Sequence, residues 1–297
     1  MENLPATERI DPRYCDLDAW DSATALAALW EAQAAAVAAV RPALPAVAAA
    51  VAAALPGITA GGRLIYLGAG TSGRLAVQDG AELTPTFDWP RERIVLLIAG
   101  GPTALLEAVE GAEDDAEAAG AAIAAHRVGA GDVVLGLAAS GRTPFTCAGI
   151  AAAAAAGAVT IGVANNPGAP LLRRAAYPIL IDTGAEPVAG STRLKAGTAQ
   201  KIVLNLFSTL LMLRLGRVHR GLMVDVRAGN AKLRDRALAM LRQLSGAEVL
   251  PAEAALRNAG GNVKLAVLLL RGLTPQAARD LLGRHHDSLR AALAAIG

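Results

Sequence analysis

Two turns rich in glycine and hydroxyl residues carry the clearest chemical signal in this chain. One follows the apolar run RLIYL, the other follows DVVLGL, and each precedes an alanine-rich run typical of a helix. The N-terminus of a helix presents free backbone N–H groups and a positive dipole end, which together suit a phosphate group. The turns therefore predict a site for a phosphate monoester, and its candidate residues are Gly70, Thr71, Ser72, Gly73, Arg74, Ser140, Gly141, Arg142 and Thr143.

Other readings of these turns stay open. The first turn also matches the G-x-G-x-x-G pattern of dinucleotide sites, but that fingerprint needs an acidic residue after the second strand. Here the second strand run, RIVLLIAGG, ends on Gly100 and Gly101, so the dinucleotide reading is disfavoured. The glycines could instead serve only a tight turn, Thr71 and Ser72 could be helix caps, and Arg142 could point to solvent.

A third cluster, GSTRLKAGTAQK at residues 190–201, combines hydroxyls with three cations at the start of a long predicted helix. Ser191 and Lys195 are its candidate ligand-binding residues. An ordinary capped helix with a solvated basic face explains the cluster equally well.

Composition excludes several function classes. A net charge of +2 and 3% aromatic residues argue against a nucleic-acid partner. Cys15 and Cys147 are expected to be free thiols of a cytoplasmic protein, and the polar N-terminus does not resemble a signal peptide. Residues 143–172 include no charged residue. Glycine, asparagine and proline interrupt this stretch, however, so no membrane segment is predicted. No metal-ligand spacing occurs, which leaves acid–base chemistry to carboxylates or a histidine.

The elements that must position these turns alternate between strands and helices. Strands are predicted at 63–67, 93–98, 132–137, 159–163 and 177–181, and helices at 73–82, 103–126, 144–156 and 195–215. Because the strands are continuous apolar runs, they predict a five-stranded parallel, doubly wound α/β sheet. The predicted domains are an N-terminal helical segment (1–53), the sheet domain (54–218) and a small all-helical domain (219–297).

Several blocks, taken in order, resemble the N-acetylmuramic acid 6-phosphate etherases. They are the Thr7-Glu8-Arg9 motif, LIYLGAGTSGRLAVQDGAELTPTF, LIAGGPTALLEAVEGAEDD, GLAASGRTPF, NNPGAP and GSTRLKAGTAQK. The resemblance runs from about Thr7 to the C-terminus. It implies a sugar isomerase (SIS) fold, with a C-terminal tail similar to a three-helix ubiquitin-associated domain.

The resemblance also implies a reaction. Glu82 would protonate the departing lactyl oxygen and Glu113 would remove the proton at C2 of the opened sugar. D-lactate is then eliminated from C3 and water adds, which gives N-acetylglucosamine 6-phosphate without a metal or organic cofactor. The physical chemistry is reasonable, since C2–H is acidic beside an aldehyde and the alkoxide leaving group needs a proton.

The resemblance leaves open how the two carboxylates reach the phosphate site and whether the chain is an etherase. On a regular helix Glu82 would lie about 13 Å from Gly73, and Glu113 would be similarly far from Thr103. We therefore expect a homodimer in which one subunit's carboxylates face the partner's phosphate site. The alternatives are an SIS-fold hexosamine-phosphate isomerase and a non-catalytic sugar-phosphate sensor; both carboxylates favour catalysis, and no DNA-binding helix-turn-helix is evident.

Overall fold

The computed structural model describes residues 4–226 and 231–297, and it divides into two compact units. The first unit comprises Met1–Gly80 and Glu92–Ser208, and the second comprises Ala81–Arg91 and Thr209–Gly297. The finer domain limits at residues 53 and 218 stay a prediction.

A five-stranded parallel sheet forms the centre of the first unit, as the apolar runs predict. Its strands are β1 (Leu64–Gly68), β2 (Ile94–Ile98), β3 (Val133–Leu137), β4 (Val159–Ala164) and β5 (Tyr177–Leu180). They pair in the order β2-β1-β3-β4-β5. Every residue of β1 and β3 is buried, because these strands are interior and helices cover both faces. The carboxyl ends of β1 and β3 therefore lie side by side.

Seven α-helices begin in the described residues of this unit. They are α1 (Ser22–Ala39), α2 (Leu44–Thr59), α3 (Gly70–Phe87), α4 (Ala116–Ala125), α5 (Pro144–Ala155), α6 (Pro170–Arg174) and α7 (Lys195–Arg214). Helix α1 begins where the Asp21 side chain accepts hydrogen bonds from the N–H groups of Ala23 and Thr24. The sheet core joins Ile65, Leu67 and Val134 to apolar residues of α4 and α5.

The helix predicted over residues 103–126 is wrong in its first half. Only α4 is α-helical, and the chain before it forms two short 3-10 turns, Pro102–Leu105 and Ala112–Asp114. Gly111 adopts a left-handed conformation, with φ of 72°, just before the second turn. A left-handed residue cannot continue an α-helix, so the chain folds back there and carries Glu113 with it.

The second unit is helical at its C-terminal end. It contains α8 (Ala231–Ser245), α9 (Val249–Asn258), α10 (Val263–Leu270), α11 (Pro275–Arg284) and α12 (Leu289–Ala294). Side chains of Asn262, Thr274 and Ser288 cap the last three helices. A fully buried Lys264 lies in this core, with its Nζ 2.6 Å from Asp225 and 3.0 Å from Asp287.

By length and composition alone, two helical stretches within residues 4–226 and 231–297 could cross a membrane, Ser22–Thr59 and Lys195–Arg214. The second is more than half buried inside the fold, and core helices of soluble proteins pass the same test. Cys15 is exposed and Cys147 is buried, and both are free thiols as the composition predicts.

Candidate functional site

A polar cavity of about 390 Å³ lies at the carboxyl ends of β1 and β3, where both hydroxyl-rich turns meet. Ligands of open α/β sheets bind in this position. The residues that line the cavity are Glu8, Ala69, Gly70, Thr71, Ser72, Glu113, Asp114, Ala138, Ala139, Ser140, Arg142, Thr143, Pro144, Gly190 and Thr192.

The first turn brings Gly70, Thr71 and Ser72 to the cavity at the start of α3. Gly73 lies behind them rather than on the cavity wall. A Cβ built on Gly73 would lie 2.8 Å from the backbone of Gly68, so only glycine lets α3 approach the end of β1 this closely. Gly73 therefore supports the turn from below.

The second turn is held by one hydrogen bond within it and one from α6. The Arg142 N–H donates to the Ser140 hydroxyl at 3.1 Å, and the Gly141 carbonyl accepts from the N–H of Leu171 at 3.0 Å. Thr143 is the N-cap of α5, and within the described part of the chain its side chain makes no capping hydrogen bond. Its hydroxyl therefore remains available to a ligand in the cavity.

Glu113 lies on the wall of the same cavity in its own chain, together with Asp114. The expectation that Glu113 is distant from its own phosphate turns, and so needs a partner subunit, is wrong. The cause is the fold-back at Gly111, which replaces the first part of the predicted helix. Arg74 fastens this loop, because its guanidinium donates to the carbonyls of Leu105 and Glu107 at 3.3 and 3.0 Å.

Glu82 is exposed on α3 and is not among the residues that line the cavity. Asp79, one turn earlier, is buried and accepts hydrogen bonds from Tyr66, Asn205 and Ser208. Burial raises the pKa of the Asp79 carboxyl, and Lys201 opposes that shift. Asp79, the carboxylate nearest to Glu82 along α3, is thus part of a buried hydrogen-bond network.

The third cluster contributes through Gly190 and Thr192, which flank Ser191 and line the cavity. Ser191 itself is half-buried and does not line it. Lys195 is 5% exposed and its ammonium donates to the carbonyl of Thr183 at 2.7 Å. Burial lowers the Lys195 pKa.

The start of α7 is capped by a buried carboxylate. Glu186 accepts hydrogen bonds from the backbone N–H groups of Lys195 and Ala196, both at 2.9 Å. These N–H groups are therefore already satisfied by the protein. Across residues 4–226 and 231–297, no group of three or more histidine, cysteine, aspartate or glutamate side chains could hold a metal ion.

Sequence reasoning missed Glu8, Asp114 and Thr192 as cavity residues. Glu8 and Thr192 do occur in the motifs that carry the family resemblance, but nothing local to either residue indicates a cavity. The position of Glu8 depends on hydrogen bonds between its neighbour Thr7 and the distant residues Asn166 and Gly190.

Comparisons with known proteins find similar sequences and folds. The family model described as the glucokinase regulatory protein N-terminal SIS domain matches residues 46–154, and the SIS domain model matches residues 114–210. An N-acetylmuramic acid 6-phosphate etherase from Deinococcus radiodurans is 53% identical over 283 residues, which cover 95% of this chain and 93% of that protein.

A second relative with the same name, from Serratia proteamaculans, is 51% identical over 233 residues and 78% of each chain. Among solved structures, a phosphoheptose isomerase from Francisella tularensis is similar at 18% identity with a TM-score of 0.49, covering 65% of this chain and all of that one.

Proposed function

This chain belongs to the N-acetylmuramic acid 6-phosphate etherase family, and we propose that its polar cavity is where the lactyl ether is cleaved. The reaction eliminates D-lactate from the sugar phosphate and adds water, which gives N-acetylglucosamine 6-phosphate in the recycling of cell-wall amino sugars. One observation supports this assignment of the reaction to the cavity: residues of both hydroxyl-rich turns and Glu113 line the same cavity.

The cavity offers suitable groups for the phosphate and for C2 of the substrate. The hydroxyls of Thr71, Ser72, Ser140 and Thr143, with the start of α3, suit the 6-phosphate. Glu113 is the base that removes the proton at C2 once the sugar is an open-chain aldehyde. Electrons then move into the C2–C3 bond, the C3–O bond breaks, and the lactyl oxygen receives a proton from an acid, the role we assign to Glu82.

We further propose a cytoplasmic homodimer in which Glu82 acts in the site of the partner subunit. Two features support it: Glu82 is exposed and does not line the cavity of its own chain, and α1 exposes an apolar stripe. The stripe consists of Leu26, Trp30 and Val37, which are 68%, 70% and 55% exposed and share one helical face. Contiguous exposed apolar surface commonly marks a contact with another protein.

The first test follows D-lactate release and deuterium uptake at C2 in heavy water. We expect Glu113→Gln to lose both by about 10²–10⁴-fold, and Glu82→Gln to lose release while retaining exchange. Glu110→Gln is the matched control, since Glu110 is an exposed carboxylate on the same loop that does not line the cavity. If wild type binds the sugar phosphate without releasing lactate, the isomerase and sensor alternatives replace this proposal.

The dimer is tested by complementation. Glu82→Gln and Glu113→Gln chains are co-expressed with different tags and the mixed dimer is purified. If Glu82 serves the partner, one of the two sites is intact and about half of the wild-type activity returns. No recovered activity in a verified mixed dimer would show that Glu82 serves its own chain.

A further inference from the structure

An N-terminal strap, residues 4–10, places a third carboxylate in the cavity. Glu8 lies in a short 3-10 turn, Ala6–Glu8, and its side chain lines the cavity that holds Glu113. The proposed lactyl elimination uses one base and one acid. It leaves unassigned an earlier proton transfer, because the pyranose must open before C2–H becomes acidic.

The strap is held by buried hydrogen bonds to two loops of the sheet. Thr7 is fully buried; its N–H donates to the side-chain oxygen of Asn166 at 3.3 Å, and its hydroxyl accepts from the Asn166 amide at 3.0 Å. The Gly190 N–H donates to the Thr7 carbonyl at 2.9 Å. A surface segment fixed in this way holds the next side chain, Glu8, in a defined place.

The strap leaves room for the Glu8 carboxylate and leaves it unpaired. A Cβ built on Gly190 would lie 2.9 Å from Oε2 of Glu8, so a larger residue there would displace the carboxylate. Over residues 4–226 and 231–297, no hydrogen bond or salt bridge engages the Glu8 carboxylate, whereas Asp79, Asp132 and Glu186 are all engaged by protein groups. Glu8 is therefore free to act on a ligand.

Topology separates Glu8 from Glu113. The Glu113 loop follows the edge strand β2, while the strap is anchored to the segments that follow β4 and β5. The phosphate turns follow β1 and β3, which lie between those strands in the sheet order. A sugar held by its phosphate in the middle thus meets the two carboxylates from different sides.

We propose that Glu8 is a catalytic residue that opens the sugar ring, and this inference rests on the proposed etherase function. Glu8 takes the proton from the anomeric O1–H while the C1–O5 bond breaks and C1=O1 forms. The carboxyl then gives its proton to O5. The net change moves one proton from O1 to O5, regenerates the carboxylate and delivers the aldehyde that Glu113 needs.

The test is mutarotation, which requires ring opening but not elimination. The probe is the product, N-acetylglucosamine 6-phosphate, and the readout is magnetisation exchange between its two anomeric protons above the spontaneous rate. We expect wild type to accelerate the exchange and Glu8→Gln to lower that acceleration about 100-fold or more, with unchanged product affinity. Glu113→Gln should keep mutarotation, and Asp16→Asn, an exposed carboxylate of the N-terminal segment, should match wild type.

Lactate release and mutarotation together distinguish failure of the proposed etherase function from failure of the ring-opening role of Glu8. If wild type releases no D-lactate, the proposed function fails. If wild type releases D-lactate but does not accelerate mutarotation, only the ring-opening role of Glu8 fails. The same holds if wild type and Glu8→Gln accelerate mutarotation equally. Lost lactate release with retained mutarotation would instead place Glu8 in the elimination. Should Glu8→Gln not fold, Glu8→Asp gives the same comparison, with mutarotation expected to fall more than product affinity.

Discussion

Replacing Gly141 by alanine should damage the second phosphate turn by two separable effects. Gly141 has a φ of 63°, a left-handed conformation that costs an alanine about 1–2 kcal/mol. In addition, a Cβ there would lie 2.4 Å from the Cβ of Ala169 and 2.9 Å from that of Ala164. Such overpacking costs about 1–3 kcal/mol, so the total loss of unfolding free energy should be about 2–5 kcal/mol.

Gly168 provides the matched control. Its φ is 69°, nearly that of Gly141, but a Cβ built there meets no atom within 4 Å. Gly168→Ala therefore carries the backbone strain without the clash and should lose only about 1–2 kcal/mol. The difference between the two variants isolates the contacts with Ala169 and Ala164.

Urea unfolding and steady-state lactate release measure the two consequences. Gly141→Ala should unfold at a lower urea concentration than Gly168→Ala. It should also raise the KM for lactate release, because Ser140 and Arg142 on either side of Gly141 line the cavity. Equal stability of the two variants would refute the packing argument. An unchanged KM in a clearly destabilised Gly141→Ala would show that the turn does not hold the phosphate.

Three further predictions concern charged groups. Arg74→Met should lower kcat for lactate release by at least about tenfold, because one pair of charge-assisted hydrogen bonds, each worth about 1.5–3 kcal/mol, fastens the Glu113 loop; an unchanged kcat would contradict this. Lys264→Met should destabilise the protein by about 3–5 kcal/mol in thermal unfolding, since it leaves Asp225 with Arg217 as its remaining cation; a loss below about 1 kcal/mol would count against it. Burial raises the pKa of Asp225 to about 6 from its ordinary 3.8, so the folded state binds a proton at this carboxyl more tightly than the unfolded state does. Protonation of Asp225 therefore stabilises the fold at low pH by at most about 3 kcal/mol, and this contribution is lost as the pH rises from about 4 through 6. The stability of wild type minus that of Asp225→Asn should fall over this range, and a constant difference would refute the assignment.

The parts of the fold that local patterns determine could be predicted from the sequence. The runs LIYL (64–67) and VVLGL (133–137) are apolar on both faces, which is typical of interior parallel strands, and every residue in them is buried. The residues 103–126 misled the prediction because alanine, leucine and glutamate favour helices. The left-handed backbone at Gly111 outweighs that propensity, and the sequence shows the glycine but not its conformation.

The candidate site divides in the same way. The hydroxyl-rich turns are local features, since strand, turn and helix start follow one another, and Thr71, Ser72, Ser140 and Thr143 do line the cavity. Glu8 reaches the cavity through hydrogen bonds to Asn166, 159 residues away from Thr7 along the chain. Lys195 reads as an anion-binding cation, yet it is buried against the Thr183 carbonyl. Neither outcome is encoded in residue spacing.

The position of the carboxylates explains why phosphate turns alone do not identify a reaction. The turns belong to the regular alternation of the sheet, after β1 and β3, and any SIS domain that binds a sugar phosphate can use them. Glu113 and Glu8 lie instead on irregular segments, a loop folded back after β2 and a strap pinned to Asn166 and Gly190. Such segments can change without disturbing the sheet. Under the proposed function, residues of the loop and strap act together with Glu82 in the chemistry, whereas the turns select the ligand class.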